Sequence, residues 1–387
     1  MSVRTAAPRQ NAAATRVPLP ARGIDWILMA AVSALIVIGV LLVWSATSAR
    51  DTLTGGDDTA YLRKEIVNVV IGVGLMAAVL MVNHRWVRLL APVIYVGSLI
   101  GLVLVLVMGS TINGSKSWIT LAGMSIQPSE FAKLAVVVGM ALLVAERADW
   151  SRRGVGLIEV VGMLAIAGVP AVLILAQPDL GTMLVLTATV FGVLASAGTP
   201  RRWLALLAAG GVTGAVAAVA MGVLKPYQVD RFMAFTNPAL DPRGAGYNVE
   251  QARIAIGNGG LFGQGLFDGS QTRSGFVPEQ HTDFIFTVAG EELGLLGAGA
   301  VIGLLALVIW RALAIAWATP DMFGRVAAAG IACWFGFQAF QNIGMCLGIM
   351  PVTGVPLPFV SYGGSSLFAS MLAVGLLQNI HLGTSRR

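Results

Sequence analysis

Ten apolar stretches of near membrane-spanning length recur along this chain: 26–47, 66–82, 89–108, 128–145, 155–176, 180–198, 203–222, 283–310, 323–349 and 364–380. A hydrocarbon core of about 30 Å takes about 20 helical residues. With no water to bond, a backbone in lipid must satisfy its own polar groups, and a helix does so within one segment. The expected fold class is therefore an all-α integral membrane protein with about ten transmembrane helices. Composition agrees: 56% of residues are hydrophobic and 11% charged, where a soluble domain carries about 25% charged residues. Cys333 and Cys346 fall in one apolar stretch, which is neither a disulfide framework nor a metal pattern.

Lys and Arg orient the spans. Placing both termini in the cytoplasm puts 15 of the 25 basic residues on that side. The short outer loops then hold Arg50, Arg63, Lys64 and Lys116, and one long outer loop holds five more. This follows the positive-inside rule, so the net charge of +6 is topogenic and no nucleic-acid partner is implied. Residues 1–24, rich in Ala, Pro and Arg, are expected as a disordered cytoplasmic tail. The spans then divide into 25–222, with seven helices, and 283–380, with three. The loop 223–282 lies between them on the extracytoplasmic side, and 381–387 forms a second cytoplasmic tail.

Polar residues inside such a chain need a partner or a purpose. Gln127-Pro128-Ser129-Glu130 opens a helix at a proline, and Glu130 and Lys133 share a face at i,i+3. They form either a structural ion pair or a charged patch on a polar cavity. Gln177-Pro178-Asp179 opens another helix in the same way. The 60-residue loop is too long for a passive connection. Its stretch 248–257 reads as a short amphipathic helix, and its Gly-rich run 257–265 as tight turns close to lipid or substrate. Asp283, at the start of an apolar helix, is either a cap or a partly desolvated base. Glu291 and Glu292 read as structural and facing protein. Pro351, Pro356 and Pro358 forbid a regular helix before Gly363-Gly364-Ser365. Non-helical backbone at membrane depth must be buried in protein or line a cavity. It is either a tight re-entrant turn or, through free N–H groups at a helix start, a phosphate site.

Taken in order, Gly114 to Ile119, Gln127 to Glu130 with Lys133, Gln177-Pro178-Asp179, Pro278 to Phe286, Glu291 to Gly294 and Pro351 to Ser366 resemble the SEDS family of cell-wall proteins. The resemblance covers nearly the whole chain. Gly246-Tyr247-Asn248, Asp268 to Gln271 and Glu279 to Asp283 lean toward the elongation branch (RodA) over the division branch (FtsW). The resemblance implies an inverting peptidoglycan glycosyltransferase that polymerises lipid II in the bacterial cell membrane. Asp283 is then the general base. Glu130, Lys133, Lys116, Gln127, Asp179, Arg231, His281, Ser361, Gly363, Gly364 and Ser365 are then substrate-binding or cavity residues. Ser117 departs from the family, where an Arg is common before Trp118. Positive charge or a divalent cation, Mg or Mn, would neutralise the diphosphate, and a class B penicillin-binding protein is the implied partner, within a larger elongation or division complex. A lipid II flippase and a non-catalytic scaffold remain as alternatives. The gathering of polar residues on one side, without two matching broken halves, favours chemistry at one face.

Overall fold

The structure, a computed structural model, describes residues 23–112, 115–121, 124–150, 155–222, 231, 235, 241 and 244–385; the N-terminal tail expected over 1–24 lies almost wholly outside them. Fourteen helices occur among the described residues: α1 Trp26–Ser48, α2 Asp51–Thr54, α3 Ala60–Met81, α4 His84–Met108, α5 Pro128–Trp150, α6 Leu157–Ala176, α7 Leu180–Ser196, α8 Arg201–Ala220, α9 Ala245–Asn258, α10 Ser270–Ser274, α11 Ile285–Glu292, α12 Gly294–Ala318, α13 Met322–Leu347 and α14 Gly364–Ser385. Eight are long and apolar enough to cross a membrane. The apolar α7 is shorter. The 26-residue α13 carries buried Gln338, Gln341 and Asn342 within its apolar run. The chain is a multi-pass, all-α membrane protein.

Burial sorts the bundle. Most residues of α5, α13 and α14 are buried, and these three helices pack on one another, with α7 against α5 and α13. Around them, α3 lies on α14, α4 and α6 on α5, and α12 between α1 and α13. No residue of α8 is fully buried; Leu204 and Leu207 pack against the core, and most of the remaining apolar surface faces lipid.

Four differences from the sequence reading have local causes. A small antiparallel sheet joins α4 to α5, in the order β1 Ser110–Ile112, β2 Ser115–Leu121, β3 Met124–Ile126. β1 and β3 span three residues each, too few to carry an alternation to read. The eighth span is broken: α11 stops at Glu292, and Gly294 (φ 67°) turns the chain before α12 resumes. The Gly-rich run fills the break. Leu295 and Leu296 N–H donate to the carbonyls of Gly260 and Leu261, and Gln264 and Gly265 N–H donate to those of Glu291 and Glu292. A Cβ on Gly294 would lie 2.2 Å from the Gly263 nitrogen, so the glycines serve backbone packed on backbone rather than lipid or substrate. Third, α12 continues through Arg311, whose Nε and Nη2 donate to Asp25 Oδ2 at 2.9 and 2.6 Å. Arg311 is thus a buried structural ion, not a loop residue. Fourth, α14 runs to Ser385, so most of the expected tail at 381–387 is helix.

Candidate active site

The α13 helix ends where Gly348 adopts the left-handed conformation (φ 71°), and the chain then runs without helix until Gly364. Its prolines remove backbone donors, so its carbonyls need partners from elsewhere. Gln338 and Asn342 supply them from one face of α13, and Gln341 beside them holds a hydroxyl of the same segment. Gln338 Nε2 donates to the Pro356 carbonyl at 2.9 Å, Gln341 Nε2 to Thr353 Oγ1 at 2.7 Å, and Asn342 Nδ2 to the Val355 carbonyl at 2.7 Å. Sequence reasoning missed all three. The available signal was three amides at i, i+3 and i+4 in an apolar helix, a spacing that lines one face.

Asn342 Nδ2 also donates to the backbone carbonyl of Asp283 at 2.7 Å, tying the Asp283 turn to the broken segment. Asp283 does not cap α11. The cap position is Phe284, with no side-chain capping bond, and Asp283 precedes it in a turn closed by its own N–H donating to the Glu279 carbonyl. Gly354 (φ 71°) lies against the carboxylate; a Cβ there would sit 3.1 Å from Asp283 Oδ2. Asp283 lies outside the membrane-spanning helices and is half-buried. Burial, reinforced by the negative charge of Glu279, pushes its carboxyl up to about 7, while Arg231 pulls it down. A carboxylate in this range accepts a proton effectively at neutral pH.

Around it the expected residues separate into groups. Gln127 and Asp179 meet, with Gln127 Nε2 donating to Asp179 Oδ2 at 3.1 Å. Asp179 also caps α7 through the Thr182 N–H at 3.0 Å. The Gln127 N–H donates to Ser365 Oγ at 2.9 Å, which joins the starts of α5, α7 and α14. Gly364 packs on Asn68 of α3, and the Gly363 carbonyl accepts the Leu367 N–H of the first turn of α14. Ser361 Oγ accepts the Leu357 N–H and so fixes the turn that precedes α14. The His281 carbonyl accepts the Tyr362 N–H at 2.9 Å. The His281 ring packs with Tyr61 and Tyr362 at centroid distances of 5.2 and 5.7 Å. Burial lowers its pKa, Glu279 works against that, and Arg50 adds to it. Arg50, another residue missed in sequence, donates to the Val277 carbonyl and to Gln280 Oε1, which anchors the chain ahead of His281.

Three expected cavity residues are placed elsewhere. Lys133 is fully buried and Glu130 nearly so. Lys133 Nζ bonds Glu130 Oε1 at 2.8 Å and Gln338 Oε1 at 2.7 Å, and lies over the Trp334 ring. The pair is sealed beneath the broken segment, because an ammonium with three donors finds its partners there. Lys116 Nζ reaches the Leu106 and Val107 carbonyls at the end of α4, where a cation satisfies otherwise orphaned acceptors. Glu291 binds the Gln271 and Thr272 N–H groups at 2.7 and 3.0 Å, and Glu292 accepts from Ser45. Both are structural, as expected. Among the described residues no group of three or more His, Cys, Asp or Glu side chains could hold a metal ion.

A family model described as "Cell cycle protein", spanning FtsW, RodA and SpoVE, matches residues 25–386. The chain belongs to the FtsW/RodA/SpoVE family. It is 38% identical to the probable peptidoglycan glycosyltransferase FtsW of Trichlorobacter lovleyi, over 95% of this chain and 96% of that one. It is 36% identical to the stage V sporulation protein E of Bacillus subtilis, over 92% and 96%. Among solved structures it matches a chain of a peptidoglycan synthase complex that coordinates polymerization and crosslinking, with a TM-score of 0.79, 32% identity and coverage of 94% and 98%. It also matches the rod shape determining protein RodA of Thermus thermophilus, with a TM-score of 0.66, 31% identity and coverage of 93% and 97%. The SEDS resemblance is thereby borne out along the chain. Division, sporulation and elongation members all match, so family membership carries what the branches share.

Proposed function

We propose that this family member is a peptidoglycan glycosyltransferase that polymerises lipid II in a bacterial cell membrane, with Asp283 as general base. The observation that carries this reading is the position of Asp283. Its side chain caps no helix, its backbone is fixed by Asn342, and its desolvated carboxylate lies beside the broken segment. The acceptor 4-hydroxyl oxygen attacks C1 of the donor sugar while Asp283 takes the hydroxyl proton. The C1–O bond to the lipid diphosphate breaks, the leaving group keeps the electron pair, and the anomeric centre inverts from α to β. The diphosphate is a good leaving group, so the base and positive charge nearby suffice. Arg231, whose charge acts on Asp283, would supply part of that charge. A Mg or Mn ion would enter with the diphosphate, because such ions bind through one or two carboxylates plus substrate phosphates.

In this reading both termini are cytoplasmic and the Asp283 end of the bundle faces outward. The partner is a class B penicillin-binding protein, which supplies the crosslinking step; the likeness to a chain of a polymerizing and crosslinking complex supports that. The deciding experiment is lipid II polymerisation by the purified full chain, alone and with such a partner. Asp283→Asn keeps the shape but accepts no proton at neutral pH. Polymer should fall by about 10²-fold or more, the contribution typical of a general base, with folding and lipid II binding retained. Normal glycan chains from a well-folded Asp283→Asn protein would overturn the mechanism and favour a flippase.

A further inference from the structure

The turn that carries Asp283 closes on one carbonyl. The N–H groups of Thr282, Asp283 and Phe284 all donate to the Glu279 carbonyl oxygen, at 3.3, 3.0 and 3.3 Å, and Thr282 Oγ1 donates to it at 3.1 Å. A carbonyl oxygen has two lone pairs, so these donors share it, and the turn holds only while that oxygen points inward. The backbone angles of Glu279 set where it points. Glu279 is left-handed, with φ 47°. A residue with a Cβ rarely takes that conformation, and glutamate lacks the short polar side chain that eases it for Asn and Asp. Such strain persists only where the surroundings impose it.

Two holds impose it here. Arg50 Nη2 donates to the Val277 carbonyl at 3.1 Å and to Gln280 Oε1 at 2.7 Å, so one guanidinium nitrogen grips the chain on both sides of Pro278-Glu279. The ring of Pro278 fixes its own φ, which leaves Glu279 to absorb the change of direction. Gln280 is fully buried. Its Nε2 donates to Thr272 Oγ1 of α10 at 3.0 Å and to Thr287 Oγ1 of α11 at 3.2 Å, which fixes the amide from two further elements. The Glu279 side chain is exposed. It meets Thr282 Oγ1 at 3.4 Å, long for a hydroxyl donor. The conformation is therefore set by what grips the neighbouring residues, not by what the glutamate side chain touches.

We propose that Glu279 is a positioning residue for Asp283, its left-handed backbone held by Arg50 and Gln280 so that its carbonyl closes the turn that carries the base. The inference rests on the general-base reading of Asp283. Asn342 holds the Asp283 carbonyl from the other side, and between the two the carboxylate is kept against Gly354. An exposed turn can open locally while the bundle stays folded. A residue that resists left-handed φ, or loss of the Gln280 hold, then withdraws the base, and a displacement on the order of 1 Å is enough to lower kcat.

The test is lipid II polymerisation by the purified full chain carrying Glu279→Gly, Glu279→Asn, Glu279→Ala or Glu279→Val. All four lack the carboxylate, and a pH well above the Asp283 midpoint keeps the lost charge out of the comparison. They differ in backbone preference: Gly and Asn accept positive φ, Ala resists it and Val resists it most. The kcat should fall in that order, by about tenfold from Gly to Val, with KM for lipid II held within about twofold and thermal unfolding unmoved. Gln280→Leu should lower kcat as well, and Gln280→Leu/Glu279→Gly should recover several-fold of that loss, because glycine adopts the turn without strain. Equal kcat across the four variants would overturn the inference. So would a penalty that appears as lost thermal stability with kcat intact, the mark of a merely structural turn, or a double variant no better than Gln280→Leu. Asp283→Asn in the same assay separates the inference from its premise. Normal polymer from it overturns the base reading and the positioning role together. Loss of polymer there, with the four Glu279 variants equal, overturns the positioning role alone.

Discussion

Asp283 is half-buried against Gly354 and next to the negative charge of Glu279, and its carboxyl sits near 7 rather than at the ordinary 3.8. Polymerase activity should therefore rise with pH through a midpoint near 7, as the base form appears. The kcat/KM profile of the full chain reports that midpoint, and a flat profile from pH 5 to 8 would count against Asp283 as the base. The same shift has a stability consequence of opposite sense. Between 3.8 and about 7 the folded protein holds a proton that the unfolded chain has lost. The Asp283 contribution to stability is thus greatest below that window and falls as pH rises through it. The buried Glu130–Lys133 pair makes a different prediction. Glu130→Gln leaves the ammonium unmatched in a dry site and should cost about 3–5 kcal/mol. Adding Lys133→Met removes the stranded charge and should recover much of it. Thermal unfolding of the two variants tests the pair as a structural pin, and equal stabilities would refute that role.

Among the elements, the broken segment 351–363 depends on donors it does not own. Asn342 holds Val355 and Asp283 together through one amide. Asn342→Leu should leave the helices formed but release the Asp283 turn, lowering kcat by about 10²-fold through a displacement on the order of 1 Å. Circular dichroism checks the helices, and polymer yield reads the loss. The break between α11 and α12 is a second dependent element, because Gly294 must be left-handed and touch Gly263. These demands were illegible in the sequence. A proline announces where a helix cannot continue, but not which distant side chain takes over its hydrogen bonds.

For the whole molecule, the proposed topology puts residues 223–282 outside the cell. A cysteine at the exposed Ser270 should label with an impermeant reagent in intact cells. One at Ser151, which lies outside the described residues, should label only after the membrane is opened. The native cysteines, one half-buried and one buried, keep the background low. The reverse pattern would invert the active face.

The sequence by itself determined where the helices lie, which way charge biases them and which family the chain joins. Those properties are local: apolar run length, a proline at a helix start, basic residues between spans and motifs in fixed order. It also brought Asp283, Gln127, Asp179 and Ser365 into view as polar residues out of place. Only the tertiary structure decided their roles, because burial and hydrogen bonding depend on chains far apart in sequence. It sealed Lys133 between Glu130 and Gln338, sent Lys116 to the carbonyls of α4, freed Asp283 from capping and split the eighth span around Gly294. Each outcome follows from the same rule: a polar group out of water takes the nearest partner that the fold, not the sequence neighbour, provides.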